Sequence, residues 1–109
     1  MIPALPEDHL DTMVAALPPT EHDDDERQLR RATAAVVLLR SLGAREPIEA
    51  ILATQAVLAH HTVMQCLRRS ARAGQPAALT SRLLGRATAL SNAFVRTVHA
   101  LRRRQNERP

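Results

Sequence analysis

The stretch AHHTVMQC, residues 59–66, gathers two histidines, a methionine and a cysteine. Each of these side chains can bind a soft or borderline metal ion. On a helix that turns about 100° per residue, His60 and Met64 lie together, whereas Cys66 points about 120° away from His60. Zinc needs three or four ligands that converge on one point. The stretch therefore predicts a helix with Cys66 facing the interior, and we expect no metal and no other cofactor. The alternative is a weak copper-type contact or a metal ion that bridges two subunits.

The acidic run EHDDDE, residues 21–26, has the charge to bind a cation or to imitate a phosphate chain. Acids at the start of a helix also interact favourably with the helix dipole. Asp23 and Arg27, and likewise Glu26 and Arg30, have the i, i+4 spacing of helical ion pairs. The alternating ligands and central glycine of a calcium loop are missing. The run therefore predicts the first turns of a helix.

Charge divides the chain sharply. Residues 1–26 hold eight acids and no arginine, whereas residues 27–109 hold all 15 arginines and only three acids. There is no lysine. Five arginines fall within about 100° of arc on the last predicted helix, opposite its apolar residues, and we call them the arginine face: Arg82, Arg86, Arg96, Arg103 and Arg104. Three more end the helix before it: Arg68, Arg69 and Arg72.

These eight arginines are the predicted anion or nucleic-acid contacts. Guanidinium groups suit phosphate and carboxylate oxygens, and a basic face without acids can lie along a nucleic-acid backbone. The chain has no Tyr or Trp on which bases would stack. The alternative partners are an acidic protein, the chain's own acids, or acids of a second subunit.

Proline and glycine divide the chain into four predicted helices, at about 7–17, 20–43, 46–73 and 76–104. Thr20 is the expected N-cap of the second helix. Pro47 suits the first position of the third helix, and Gly43 and Gly74 suit positions just beyond helix ends. Residues 1–19 form an acidic segment that contains the short first helix, and residues 105–109 are expected to fray.

The apolar pattern predicts an all-α fold. The fourth helix carries one continuous apolar face of Leu79, Leu83, Ala87, Leu90, Phe94, Val98 and Leu101. The link AGQP is short, so the third and fourth helices should form a long antiparallel hairpin. The second helix packs across this hairpin and the first adds a lid, which gives a single small helical bundle of residues 1–109.

Further apolar and histidine side chains lie off these main faces. They predict an oligomer seam of Val57, His60, His61, Met64, Leu84 and Val95. Small chains bury limited apolar surface on their own, which favours self-association. We expect a homo-oligomer, with a dimer favoured, and a histidine charge that makes association depend on pH.

Catalysis has little support in the residues. No Ser or Cys has an identifiable base, and the three glycines form no phosphate-binding loop. No apolar run approaches the ~20 residues of a membrane span. The first basic residue is Arg27, so the charged n-region of a secretory signal is missing and we expect no such signal. The single cysteine suits a reducing compartment. We expect a cytoplasmic protein that is not an enzyme and does not bind a membrane.

The segments AILATQAVLAHHTVMQCLRRSA and LSNAFVRTVHALRRRQ resemble a family of short, uncharacterised alphaproteobacterial proteins, over about residues 46–104. The resemblance implies a helix with His and Cys near its middle, followed by a helix that ends in a basic cluster. It also implies an association with prophage or plasmid genes, hence a mobile-element role. Members typically continue into a tail rich in His and Gly, whereas this sequence ends in RRRQNERP.

Together these features predict a non-enzymatic interaction or assembly module that self-associates, with an unknown partner. The alternative is an accessory protein that binds nucleic acid through the arginine face.

Overall fold

The computed structural model describes residues 7–18 and 24–107, with side chains from Leu10 onward. Four helices follow one another: α1 (Glu7–Ala16), α2 (Asp25–Ser41), α3 (Pro47–Ser70) and α4 (Ala77–Glu107). No strand occurs within the described ranges. The all-α fold predicted from the apolar pattern is therefore confirmed.

Helix α2 begins later than predicted. Its N-cap is Asp24, whose side chain accepts a hydrogen bond of 2.8 Å from the backbone N–H of Arg27. The expected cap, Thr20, lies outside the described residues, and the prediction that it caps this helix is wrong. A short carboxylate is a strong cap, and the next two residues, Asp25 and Glu26, add negative charge to the first turn.

Helix α3 begins as predicted, with Pro47 in its first turn and Glu46 as its N-cap. It ends at Ser70 rather than at residue 73. The side chain of Gln75 donates hydrogen bonds to the carbonyl oxygen of Ser70, at 3.1 Å, and to the hydroxyl of Thr80, at 2.8 Å. This amide ties the end of α3 to the start of α4 across the short link.

Helix α4 runs three residues past its predicted end, so the expectation of a frayed tail is wrong for residues 105–107. The side-chain amide of Gln105 donates to the carbonyl oxygens of Leu42, at 2.8 Å, and Gly43, at 3.1 Å. Arg102 donates to the same Leu42 oxygen at 3.1 Å. Because these bonds occupy carbonyl groups beyond the end of α2, they hold the last turns of α4 in place.

Helices α3 and α4 share the largest interface, α2 packs on α3, and α1 contacts both α2 and α3. The predicted hairpin of α3 and α4 is thus observed, whereas the second helix packs against α3 alone and not across both helices of the hairpin. The apolar face of α4 lies inward: Leu83, Ala87 and Leu101 are buried, and Phe94 packs against the main core. Three alanines of α3 are at most 2% exposed and let neighbouring helices approach closely: Ala50, Ala53 and Ala56.

The buried residues form two clusters. The main core includes Met13 of α1, Leu39 of α2 and Leu101 of α4. A smaller cluster nearer the hairpin turn joins Val63 and Cys66 to Ala87. The first helix therefore closes the main core with Met13, while the outer part of the hairpin depends on α3 and α4.

Candidate interaction surfaces

The structure separates the four candidate metal ligands of residues 59–66. Cys66 is buried in the smaller cluster, which confirms its predicted inward direction. The His60 ring lies 5.9 Å from the ring of Phe94 and 5.5 Å from that of His61, measured between centroids. Met64 remains exposed. Among the described residues, no three His, Cys, Asp or Glu side chains gather where they could hold a metal ion.

His61 lies in a cationic environment. Burial lowers the pKa of its imidazole, and the nearby charges of His60, Arg31 and Arg68 lower that pKa further. A lowered pKa favours the neutral ring at physiological pH. The sequence placed His61 on an oligomer seam, whereas the structure places it beside arginines of two helices.

The oligomer seam stays a prediction, and the burial of one of its members contradicts that member's assignment. Val57 is 0% exposed and belongs to the main core, together with Met13 and Leu39. Its assignment to the seam is wrong, because α1 and α2 already cover this face of α3. Three other predicted members are exposed large apolar side chains: Met64, Leu84 and Val95.

Leu67, which the sequence reasoning missed, adds a fourth exposed side chain one helical turn from Met64. We call these four residues the apolar strip: Met64, Leu67, Leu84 and Val95, which are 40–48% exposed. Leu67 follows Met64 by three residues, and this i, i+3 spacing in the sequence could have predicted that the two side chains are neighbours.

Both α4 members of the apolar strip lie on one flank of their helix. Leu84 and Val95 are eleven residues apart, which is about three turns. Arg102 follows Val95 by two turns and reaches the Leu42 carbonyl at the end of α2. This flank therefore faces the side of the hairpin that carries α2. Thr88 and Ser91, which lie between the two apolar residues on the same flank, are uncharged.

The arginine face occupies the other flank of α4. Arg82, Arg86, Arg96 and Arg103 are exposed and make no hydrogen bond or ion pair with any described residue. They span about 31 Å along the helix at 1.5 Å per residue.

Arg104 differs from the other four, because its Nε lies 2.7 Å from Oε1 of Glu46. This predicted anion contact therefore has a carboxylate partner within the chain, and its role toward an external anion stays a prediction. In α3, Arg68 is exposed and Arg69 is partly buried, and Arg72 lies exposed just beyond the helix.

Four arginines from two helices meet at a pocket of about 310 Å³ that the sequence reasoning did not find. Its described lining is Arg27, Arg30 and Arg31 of α2 and Arg68 of α3, and we call it the arginine pocket. The predicted Glu26–Arg30 ion pair is confirmed at 2.9 Å. The predicted partner of Arg27, Asp23, lies outside the described residues.

Arg31 is held in place at the arginine pocket by a hydrogen bond of 2.7 Å from its Nη1 to the carbonyl oxygen of Pro18, just beyond α1. The meeting of Arg31 with Arg68 results from the packing of α2 on α3. Only the i, i+3 and i, i+4 spacings of Arg27, Arg30 and Arg31 were visible in the sequence.

None of the described helices is both long and apolar enough to cross a bilayer.

The resemblance of residues 46–104 to short alphaproteobacterial proteins stays a prediction. The observed hairpin is compatible with it, but helical hairpins occur in many unrelated proteins and carry no function by themselves. Searches against family models, curated proteins and solved structures found no match to this chain.

Proposed function

We propose that this protein is a non-enzymatic helical interaction module that self-associates through the apolar strip. The observation that carries the proposal is the exposure of four large apolar side chains on neighbouring helices of one hairpin. Singly scattered apolar residues are ordinary on protein surfaces, but a group of them marks an interaction site. A cytoplasmic location is part of the proposal and is supported by the single, buried cysteine.

A second copy of the chain is the partner that fits this strip. The chain carries a net charge of +4, and its α4 exposes four arginines that have no partner among the described residues, so two copies repel each other over most of that helix. Between Leu84 and Val95 this flank carries only Thr88 and Ser91, which are uncharged, and Arg102 lies two turns beyond Val95. Two copies can therefore approach along it without bringing arginines together.

The spacing on α4 also suits a two-fold axis. In a symmetric dimer, residue i of one copy contacts residue j of the other, and j contacts i. An antiparallel crossing of the two α4 helices midway between Leu84 and Val95 places Leu84 of each copy against Val95 of the other. Completing the burial of a half-exposed Leu or Val contributes about 1 kcal/mol, so we expect a weak dimer once the entropy of association is deducted.

Analytical ultracentrifugation over a wide concentration range tests this proposal. We expect a reversible monomer–dimer equilibrium for the unaltered chain. Val95→Glu should abolish the dimer by placing a carboxylate in the strip. Val37→Glu is the matched control, because Val37 is 61% exposed on α2 and lies outside the strip. A strict monomer at several hundred micromolar, or equal loss of the dimer in both variants, contradicts the proposal.

Nucleic-acid binding is the second candidate function, and one observation favours it: Arg82, Arg86, Arg96 and Arg103 are exposed without a partner among the described residues. Four phosphate contacts predict a slope of about −3.6 when log K is plotted against log salt concentration on duplex DNA. Changing all four to Gln should remove most of the affinity, whereas Arg40→Gln, on α2, should leave it unchanged. Absence of binding even at low salt contradicts this candidate.

A further inference from the structure

The arginine pocket is a concave cationic site that neither proposed function uses. We propose that it binds a small anion with two or more linked phosphate groups, such as pyrophosphate or the polyphosphate chain of a nucleotide. The four guanidinium groups of the lining, from α2 and α3, carry the proposal.

The packing of the helices explains why these arginines converge. Arg27, Arg30 and Arg31 have i, i+3 and i, i+4 spacings, which put them on one side of α2. Arg68 comes from the last turn of α3. Guanidinium groups present planar pairs of N–H donors that match phosphate oxygens. Because the hydrogen bond to Pro18 already positions Arg31, less side-chain freedom is lost when an anion binds.

The described charges at the pocket are the four arginines of its lining and Glu26, which pairs with Arg30. The side chains of Glu26 and Arg30 are 76% and 70% exposed. Exposed ion pairs of this kind are weak and exchange readily. Asp24 also lies at this end of α2, where its carboxylate accepts the backbone N–H of Arg27. Arginine does not lose its proton in proteins, so the four cations cannot relieve their repulsion by titration.

The size and composition of the pocket indicate which anion it prefers. A volume of about 310 Å³ lies at the lower end of small-molecule pockets and offers room for more than one phosphate group. The chain has no Tyr or Trp to stack on a nucleobase. The phosphate chain, and not a base, is therefore the part that the pocket recognises.

Calorimetric titration of the full chain with pyrophosphate at low ionic strength tests the proposal. We expect pyrophosphate to bind at least tenfold more tightly than inorganic phosphate, and ATP and UTP to bind about equally. Arg68→Gln and Arg30→Gln should each weaken pyrophosphate binding about tenfold. Arg82→Gln, on the opposite flank of α4, is the matched control and should bind as the unaltered chain does.

A second measurement distinguishes site binding from diffuse attraction. His61 lies beside Arg31 and Arg68, so a bound pyrophosphate should move its NMR titration midpoint to higher pH. Circular dichroism checks that each variant is folded. If Arg68→Gln does not fold, Arg30→Gln still tests the proposal.

Three outcomes overturn the proposal: no pyrophosphate binding at low salt, equal weakening by Arg82→Gln, or an unmoved His61 midpoint at saturation. DNA binding is measured separately and depends on the arginines of α4. A loss of pyrophosphate binding at the arginine pocket can therefore be distinguished from a loss of DNA binding.

Discussion

Arg104 and Glu46, 58 residues apart in the chain, join α4 to the first turn of α3. The Nε of Arg104 donates to Oε1 of Glu46 at 2.7 Å, and the same carboxylate oxygen accepts the backbone N–H of Glu49 at 2.9 Å. The hydrogen bond from Arg104, followed by those from the backbone of Glu49 and Ile48, holds the pKa of Glu46 below its ordinary value despite partial burial. One carboxylate therefore caps α3 and also closes the open end of the hairpin.

Glu46→Gln should lower the free energy of unfolding at neutral pH, because it removes the charge while keeping the side-chain length. The folded-state pKa of Glu46 is lowered, so its contribution is fully present above the unfolded value near 4.5 and is lost as pH falls through the folded value. Urea unfolding between pH 3 and 7 should show the two stabilities converging at the acidic end.

Asp11→Asn is the control for that experiment. Asp11 lies exposed on α1 and makes no hydrogen bond or ion pair with any described residue. The stability of this variant should stay within about 0.5 kcal/mol of that of the unaltered chain at each pH. A stability difference for Glu46→Gln that persists undiminished at pH 3 would mean that the charge of the carboxylate is not what stabilises this end.

Substitution of alanine for each of two glycines should change the free energy of unfolding in opposite directions. Gly74 has a φ of +79°, and a Cβ there would meet no atom within 4 Å. Gly74→Ala should therefore cost about 1–2 kcal/mol through backbone conformation alone. Gly85 sits within α4, also with open space around a Cβ, so Gly85→Ala should gain about 0.5–1 kcal/mol. Chemical denaturation measures both, and a shift in the same direction for the pair contradicts this interpretation.

The spacing of apolar residues and the positions of proline and glycine predicted the four helices well. They predicted the ends of the helices less well. The apolar face of α4 followed directly from the positions of Leu83, Ala87 and Leu101. Its last turn was missed because Gln105 binds carbonyl groups of Leu42 and Gly43, some 60 residues earlier in the chain. Such hydrogen bonds depend on how the helices pack, and the local sequence pattern carries no information about that packing.

The candidate sites depended even more on packing. The apolar residues Met64, Leu84 and Val95 were found from their positions off the main faces. Val57 looked similar in the sequence, but Met13 and Leu39 share the core that buries it. The arginine pocket was invisible, since its lining comes from two helices separated along the chain.

Enlarging Ala56 should test how closely the helices approach. Ala56 is 0% exposed in the main core, so Ala56→Leu forces extra methyl groups into packed space and should cost about 1–3 kcal/mol. The neighbouring Gln55 is exposed, and Gln55→Leu should change stability by no more than about 0.5 kcal/mol. Thermal unfolding of the two variants gives the comparison, and an unaffected Ala56→Leu variant would reveal unfilled space at this position.

His61 should make the fold less stable in mild acid. Burial, then the charges of His60, Arg31 and Arg68, lowers the pKa of its imidazole below 6.5. The unfolded chain therefore takes up the proton first, and the free energy of unfolding should fall as pH drops through 6.5, then level off below the folded pKa. The NMR midpoint of His61 should lie below 6.5, and Arg68→Gln should raise it, whereas Arg82→Gln should not. Added salt should raise it as well, because ions screen the arginine charges. A midpoint at or above 6.5 in the absence of anions would contradict the cationic environment assigned to this ring.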